Sequence, residues 1–188
     1  MSVALVLLSS LLVYAFGQES LQAWQAHVRA RDIQELDRAA NLLADGFFDL
    51  LNERLHTNNA LQAPDPAGAA ALREISHWRQ QAGRHHDSAL AIISLLEFPN
   101  RDTLLRQLKH ALAGVNEIRS LADRDLVLPR ERRQETVRRD FVPIVTSATN
   151  ASRDYWRAAL YAEAAFDPTL AYLAMIKEIG MRLHEVAA

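Results

Sequence analysis

Apolar positions recur every three to four residues along most of the chain, the period of one helix face, and Pro, Gly and Asn clusters cut that pattern into long segments. The first predicted helix runs from about Ser20 to Asn59, with Leu36, Ala40, Leu43, Phe47, Leu50 and Arg54 on one stripe. It ends at Asn58-Asn59 and the turn from Pro64 to Gly68. A second covers about Ala69 to Glu97, carries Leu72, Ile75, Trp78, Leu90, Ile93 and Leu96, and stops at Phe98-Pro99-Asn100, because the residue before a proline disfavours helical dihedrals. Asn100 or Asp102 can cap the third, about Asp102 to Asp125, whose Leu104, Leu108, Leu112, Val115, Ile118 and Ala122 form a heptad-like seam. The fourth, about Arg130 to Ala165, places Val137, Phe141, Ile144, Ala148, Ser152, Tyr155, Ala159, Ala162 and Phe166 on one stripe. Asp167-Pro168 reads as N-cap and first residue of a fifth helix, continued by Leu170, Leu173, Ile176, Gly180, Leu183 and Ala187.

No strand run interrupts this pattern, so the expected fold class is all-α: an elongated antiparallel up-down bundle of about five long helices. Short connections make successive helices antiparallel neighbours, and an odd count leaves the last helix pointing away from where the first began. A domain that returns to its starting surface needs an even count, so a sixth helix beyond Ala188 is expected, or one break is only a kink. The first helix, about 60 Å, is taller than the second and third, about 45 and 35 Å, which suggests a membrane-distal module on a tall helix.

Residues 1–17 are uncharged and strongly apolar, with Val3 to Phe16 reading VALVLLSSLLVYAF. Sixteen helical residues span only about 24 Å, short of the ~20 residues that cross hydrocarbon. A signal peptide is the rival, but no Lys or Arg precedes Arg29 and Ala15-Phe16-Gly17 fits a small-residue cleavage site poorly. A buried core helix is the third possibility. The expectation is the outer part of a transmembrane helix over 1–17, continuous with an extracytoplasmic domain over 18–188, both clipped. Tyr14 and Phe16 suit an interfacial aromatic belt.

Composition narrows the function classes. The chain is 49% hydrophobic with a net charge of −2, which gives no general attraction for nucleic acid. It has no cysteine, which removes disulfides, thiolate catalysis and Cys-based zinc sites. Hydrolase elbow, P-loop, dinucleotide fingerprint and H-E-x-x-H are all absent, so no enzyme activity, cofactor or metal is expected. His85-His86-Asp87 reads as a solvated polar face, since adjacent helical positions diverge by about 100° and cannot share one metal. The run Arg130 to Arg139 is interleaved with Glu131 and Glu135 and reads as a charged helix start with local salt bridges.

Pro143 removes a backbone donor inside the fourth helix and is expected to bend it. At the same height lie Phe47, Gln81 and the small pair Ala113-Gly114, so room for a ligand is expected there. The polar candidates around it are Arg54, Arg79, Arg84, His85 and Asn116; inward-facing arginines hold small anions bidentately. The competing reading has these arginines snorkelling outward over Leu and Ala. Trp24, Trp78 and Trp156 read as core or interface aromatics.

Asn52-Glu53-Arg54 before the first turn, Leu105 to Arg119 with its leucines ending in Arg, and Ile176-Lys177-Glu178-Ile179-Gly180-Met181-Arg182 join the apolar opening in a loose pattern. It resembles the helical extracytoplasmic sensor regions of bacterial methyl-accepting chemotaxis proteins, of the nitrate-sensing and helical-bimodular classes. The resemblance spans most of Gln18 to Ala188. It implies a homodimer in the bacterial inner membrane with this domain in the periplasm, a small anion or organic acid bound between helices, Arg54 as its ligand, and a helix displacement passed to a cytoplasmic signalling module. The returning helix that such domains need is expected beyond Ala188, a departure from the pattern that leaves the ligand class open. The alternative is an anchored or secreted helical bundle serving as a scaffold or protein-interaction module.

Overall fold

The structure, a computed structural model, describes residues 2–96, 98–164, 172, 175–176 and 178–180. Its elements are α1 (Ser2–Gln62), α2 (Ala69–Ile93), α3 (Arg101–Leu126), a short 3-10 turn (Arg130–Arg132) and α4 (Glu135–Ala164). All are helical, as the periodicity predicts. Most of the predicted fifth helix and its Asp167-Pro168 cap lie outside the described residues. Glu178, which is described, accepts from Arg157 Nη2 at 2.8 Å and from the Tyr161 hydroxyl at 3.0 Å.

The chain forms two compact units, Met1–Glu35 and Leu36–Ala188. In the first, Tyr14, Leu21, Trp24 and Val28 recur at helical spacing and are all exposed. No helix among the described residues is long and apolar enough to cross a membrane; the side chains of 2–12 and 15, which carry most of the apolar run, are outside the description.

In the second unit, two apolar clusters draw on all four α-helices. One joins Leu36, Leu43, Phe47, Ile93, Tyr155 and Trp156. The other joins Leu50, Leu61, Ile75, Val115, Phe141 and Val145. The stripes predicted for α1, α3 and α4 are largely those that pack, except that Val145 takes the buried place expected of Ile144. On α2 the outcome differs. Its buried face is Ile75, Ala82, His86, Ala89 and Ile93, while Leu72 lies at the surface. These positions, with half-buried Arg79, follow a four-three repeat, so a guanidinium and an imidazole stand where a coiled-coil seam normally carries leucine.

Two helix limits depart from expectation for local reasons. α2 ends a turn before Pro99, where Ser94 N–H and Oγ bond to the carbonyls of Leu90 and Ala91. Asn100 then takes the left-handed conformation (φ 63°) as the N-cap of α3, a region Asn tolerates better than most side chains. α4 begins at Glu135 rather than Arg130, because Arg133 is pulled inward. Its guanidinium donates to the carbonyls of Ala60, Leu61 and Ala63 at 2.8 Å each and of Asp65 at 2.6 Å, and its Nε reaches those of Leu128 at 2.8 Å and Asp125 at 3.2 Å. These carbonyls lie at the ends of α1 and α3, where the helix ladder runs out; the Asp125 carbonyl also accepts Leu128 N–H at 2.9 Å. Asp125, also buried, accepts Gln134 N–H at 2.8 Å and so caps the approach to α4. The basic run is therefore a solvated face only in part: Arg133 clamps two loops together.

Candidate functional site

The polar residues on the seams meet in one place. Glu53 of α1 is fully buried, and its carboxylate accepts Arg79 Nε at 3.1 Å from α2 and Arg119 Nε at 2.8 Å from α3. A second, short bond runs from Arg119 Nη2 to the other Glu53 oxygen. Arg79 turns its remaining edge to Asp123 in a two-toothed pair at 2.8 and 3.0 Å, and Arg119 Nη1 donates to Asn116 Oδ1 at 2.9 Å. Burial opposes the charge on Arg79, but the bond to Asp123 and the field of Glu53 outweigh it and raise its pKa. The network ties three helices through charge-assisted bonds, buried at Glu53 and exposed at Asp123 and Asn116.

One turn away, His86 is buried on the same seam. Its Nδ1 lies 2.8 Å from the Ala82 carbonyl, which can only accept, so Nδ1 carries the hydrogen; Nε2 then accepts the Ser152 hydroxyl of α4, also at 2.8 Å. Burial, reinforced by Arg119 and His85 and opposed by the Ala82 bond and Asp87, lowers the pKa of this imidazole. A depressed folded-state pKa means that the unfolded chain takes up the proton first as pH falls. This group costs no stability above the ordinary histidine value of about 6.5 and reduces it progressively below. Unfolding by urea at a series of pH values should show that slope, and His86→Gln should flatten it.

Gly46 of α1 is what admits the ring. A Cβ there would sit 2.7 Å from both Cε1 and Nδ1 of His86, and bonds at both ring nitrogens prevent the imidazole from retreating. Gly46→Ala should therefore destabilise by about 1–3 kcal/mol, although alanine is by about 1 kcal/mol the better helix former. Gly83→Ala, whose Cβ meets nothing within 4 Å, should stabilise instead. Denaturant midpoints of the two variants, moving in opposite directions, check this.

Beside the network lies a cavity of about 180 Å³, walled by Leu50 of α1, by Ala82, Gly83, His86 and Asp87 of α2, and by Leu112, Asn116 and Arg119 of α3. The sequence-predicted site residues divide around it. Asn116 lines it, and Arg79 reaches it only through Glu53. Arg54 is held away, donating to Thr146 Oγ1 of α4 at 3.0 Å. His85 pairs with Asp49 Oδ2 at 2.7 Å, where burial raises the Asp49 pKa against the pull of that histidine. Arg84 is exposed. The expected opening at Pro143 does not form, since Pro143 itself faces solvent and Ile144 lies 3.8 Å from where a Gly114 Cβ would stand.

Glu53, His86 and Arg119 belong to this polar cluster without being among the site candidates that the sequence offers. Glu53 and Arg54 fit the α1 stripe equally well, three and four residues after Leu50, and the period alone does not choose between them. Among the described residues no group of three His, Asp or Glu side chains is placed to hold a metal ion. Comparison with family models, with curated proteins and with solved structures found no match.

Proposed function

We propose that this chain is the periplasmic ligand-sensing input domain of a transmembrane bacterial receptor of the chemoreceptor type. The observation that carries the reading is a cavity whose wall is braced by a buried carboxylate shared between two arginines, joining α1, α2 and α3. A molecule filling it touches all three helices at once. Any difference in its affinity for two packings of those helices shifts their balance, and α1 carries the shift toward the membrane.

The same contacts support an antiparallel up-down bundle as the finer architecture of this reading. Asp49, which precedes Glu53 in α1, meets His85, which follows Arg79 in α2, as antiparallel neighbours require. An up-down bundle places the ends of α1 and α3 together, which agrees with their joint capture by Arg133. In this reading residues 1–17 belong to an inner-membrane anchor, the receptor is a homodimer, and no catalysis or cofactor is involved. A scaffold or interaction module is the second reading, favoured by the exposed Tyr14, Leu21, Trp24 and Val28 face.

Thermal-shift screening of the chain against small anions, carboxylates and amino acids separates the two. A true ligand at 100 times its Kd adds about 2.7 kcal/mol and raises Tm by about 5–10 °C. A folded chain that responds to none of them contradicts direct sensing and leaves the scaffold.

A further inference from the structure

The chemistry of the cavity wall says more about the ligand than the presence of an arginine does. Arg119 has five N–H groups, and three are committed: two to Glu53 and one to Asn116. Its positive charge is already matched by the buried Glu53 carboxylate, so the guanidinium offers its two remaining donors without an unbalanced charge. Asn116 spends its carbonyl oxygen on Arg119, which fixes the amide orientation and leaves both Nδ2 hydrogens for a guest. His86 contributes no polar atom, because both ring nitrogens are occupied by Ala82 and Ser152. Asp87 stands on the same wall with its carboxylate in no ion pair among the described residues.

An inorganic anion fits this wall poorly. It would meet a guanidinium whose charge Glu53 already matches and, in the same lining, the carboxylate of Asp87. A simple amine would leave the Arg119 and Asn116 donors unused. A guest with both charges suits both kinds of group, a carboxylate for the donors of Asn116 Nδ2 and Arg119 and an ammonium for the Asp87 carboxylate. The rest of the wall, Leu50, Ala82, Gly83 and Leu112, is apolar and suits a short aliphatic body. The volume of about 180 Å³ is slightly larger than a cavity of ~150 Å³ that takes benzene, a six-atom ligand.

We infer that the cavity between α1, α2 and α3 binds a small zwitterion of the α-amino acid class, its ammonium at Asp87 and its carboxylate at Asn116 and Arg119. This rests on the sensing role proposed for the same cavity, and it narrows the small anion expected from sequence to a molecule that carries both charges.

Calorimetric titration of the full chain with glycine, L-alanine and L-serine, and with propionate, ethylamine and nitrate as half-ligands, tests it. At least one amino acid should bind ten-fold or more tighter than any of the three half-ligands. Asp87→Asn, a change at an exposed position that leaves the fold intact, should weaken that amino acid ten-fold or more and leave propionate binding equal or stronger. Propionate or nitrate binding as tightly as the amino acids, with Asp87→Asn without effect, overturns the zwitterion while the sensing cavity stands. No binding by any of the six to the folded chain overturns both.

Discussion

Replacing Glu53 with alanine should be among the most damaging single changes in this chain, costing about 3–5 kcal/mol. The substitution removes the acceptor of three hydrogen bonds and leaves the guanidinium of Arg119, only 12% exposed, without a counter-charge in a packed interior. Arg79 suffers less because Asp123 still holds its other edge. At about 2–4 °C of Tm per kcal/mol for a chain of this size, the melting point should fall by roughly 6–20 °C. The pair is costly to break and cheap to replace. Glu53→Leu combined with Arg119→Leu should recover much of the loss, since apolar substitutes avoid the desolvation that both charges incur. Thermal or urea unfolding of the single and double variants measures it; a single variant within about 1 kcal/mol of the parent would mean that water reaches Arg119.

Arg133→Met should be comparably severe, at about 3 kcal/mol or more. The side chain is nearly the same length and keeps the packing, but it removes the guanidinium donors of the carbonyls of Ala60, Leu61, Ala63, Asp65 and Leu128, while Asp125 keeps the Leu128 N–H. Arg133→Lys should rescue little, because one ammonium with three hydrogens cannot span acceptors on both sides of a planar fork. Amide exchange should rise first in the last turns of α1 and α3. Unfolding midpoints of the two variants, together with exchange rates at 57–67 and 124–134, report the effect; wild-type stability in the lysine variant would reduce Arg133 to a simple charge.

The all-helical character was legible because long amphipathic stripes with few Gly and Pro leave no alternative. Leu43, Phe47, Leu108, Val115 and Phe141 are buried where the period puts them. What the period cannot resolve is a choice between i+3 and i+4, and the site turns on that choice. Leu50 leads equally to Glu53 and Arg54, and only contact with α2 and α3 selects the carboxylate. On α2 Ile75 and Ile93 are buried as expected, but between them the stripe is carried by Ala82, His86 and Ala89, residues too small or too polar to stand out against Leu72 and Trp78. A four-three repeat running through Ile75, Arg79, Ala82, His86, Ala89 and Ile93 was nevertheless present, and polar residues recurring on it were the available signal for the site. Arg133 gave none, since its partners are backbone carbonyls on loops distant in sequence.

Pro143 shows a different limit. Its position inside α4 predicts a bend with room beside it, but a proline on the solvent side loses a hydrogen bond that water partly replaces, and the core beside it stays filled. The cavity arises instead where Ala82, Gly83 and Leu112 leave space next to a polar network that fixes helix spacing.

The proposed sensing role requires that a small molecule occupy this cavity and alter the helices that wall it. Hydrogen exchange of the chain, with and without the compound giving the largest thermal shift, tests that requirement directly. The account predicts slower exchange in 46–54 of α1, 79–87 of α2 and 112–119 of α3. Unchanged exchange in all three segments, or protection confined to the turn at 98–103, would contradict it.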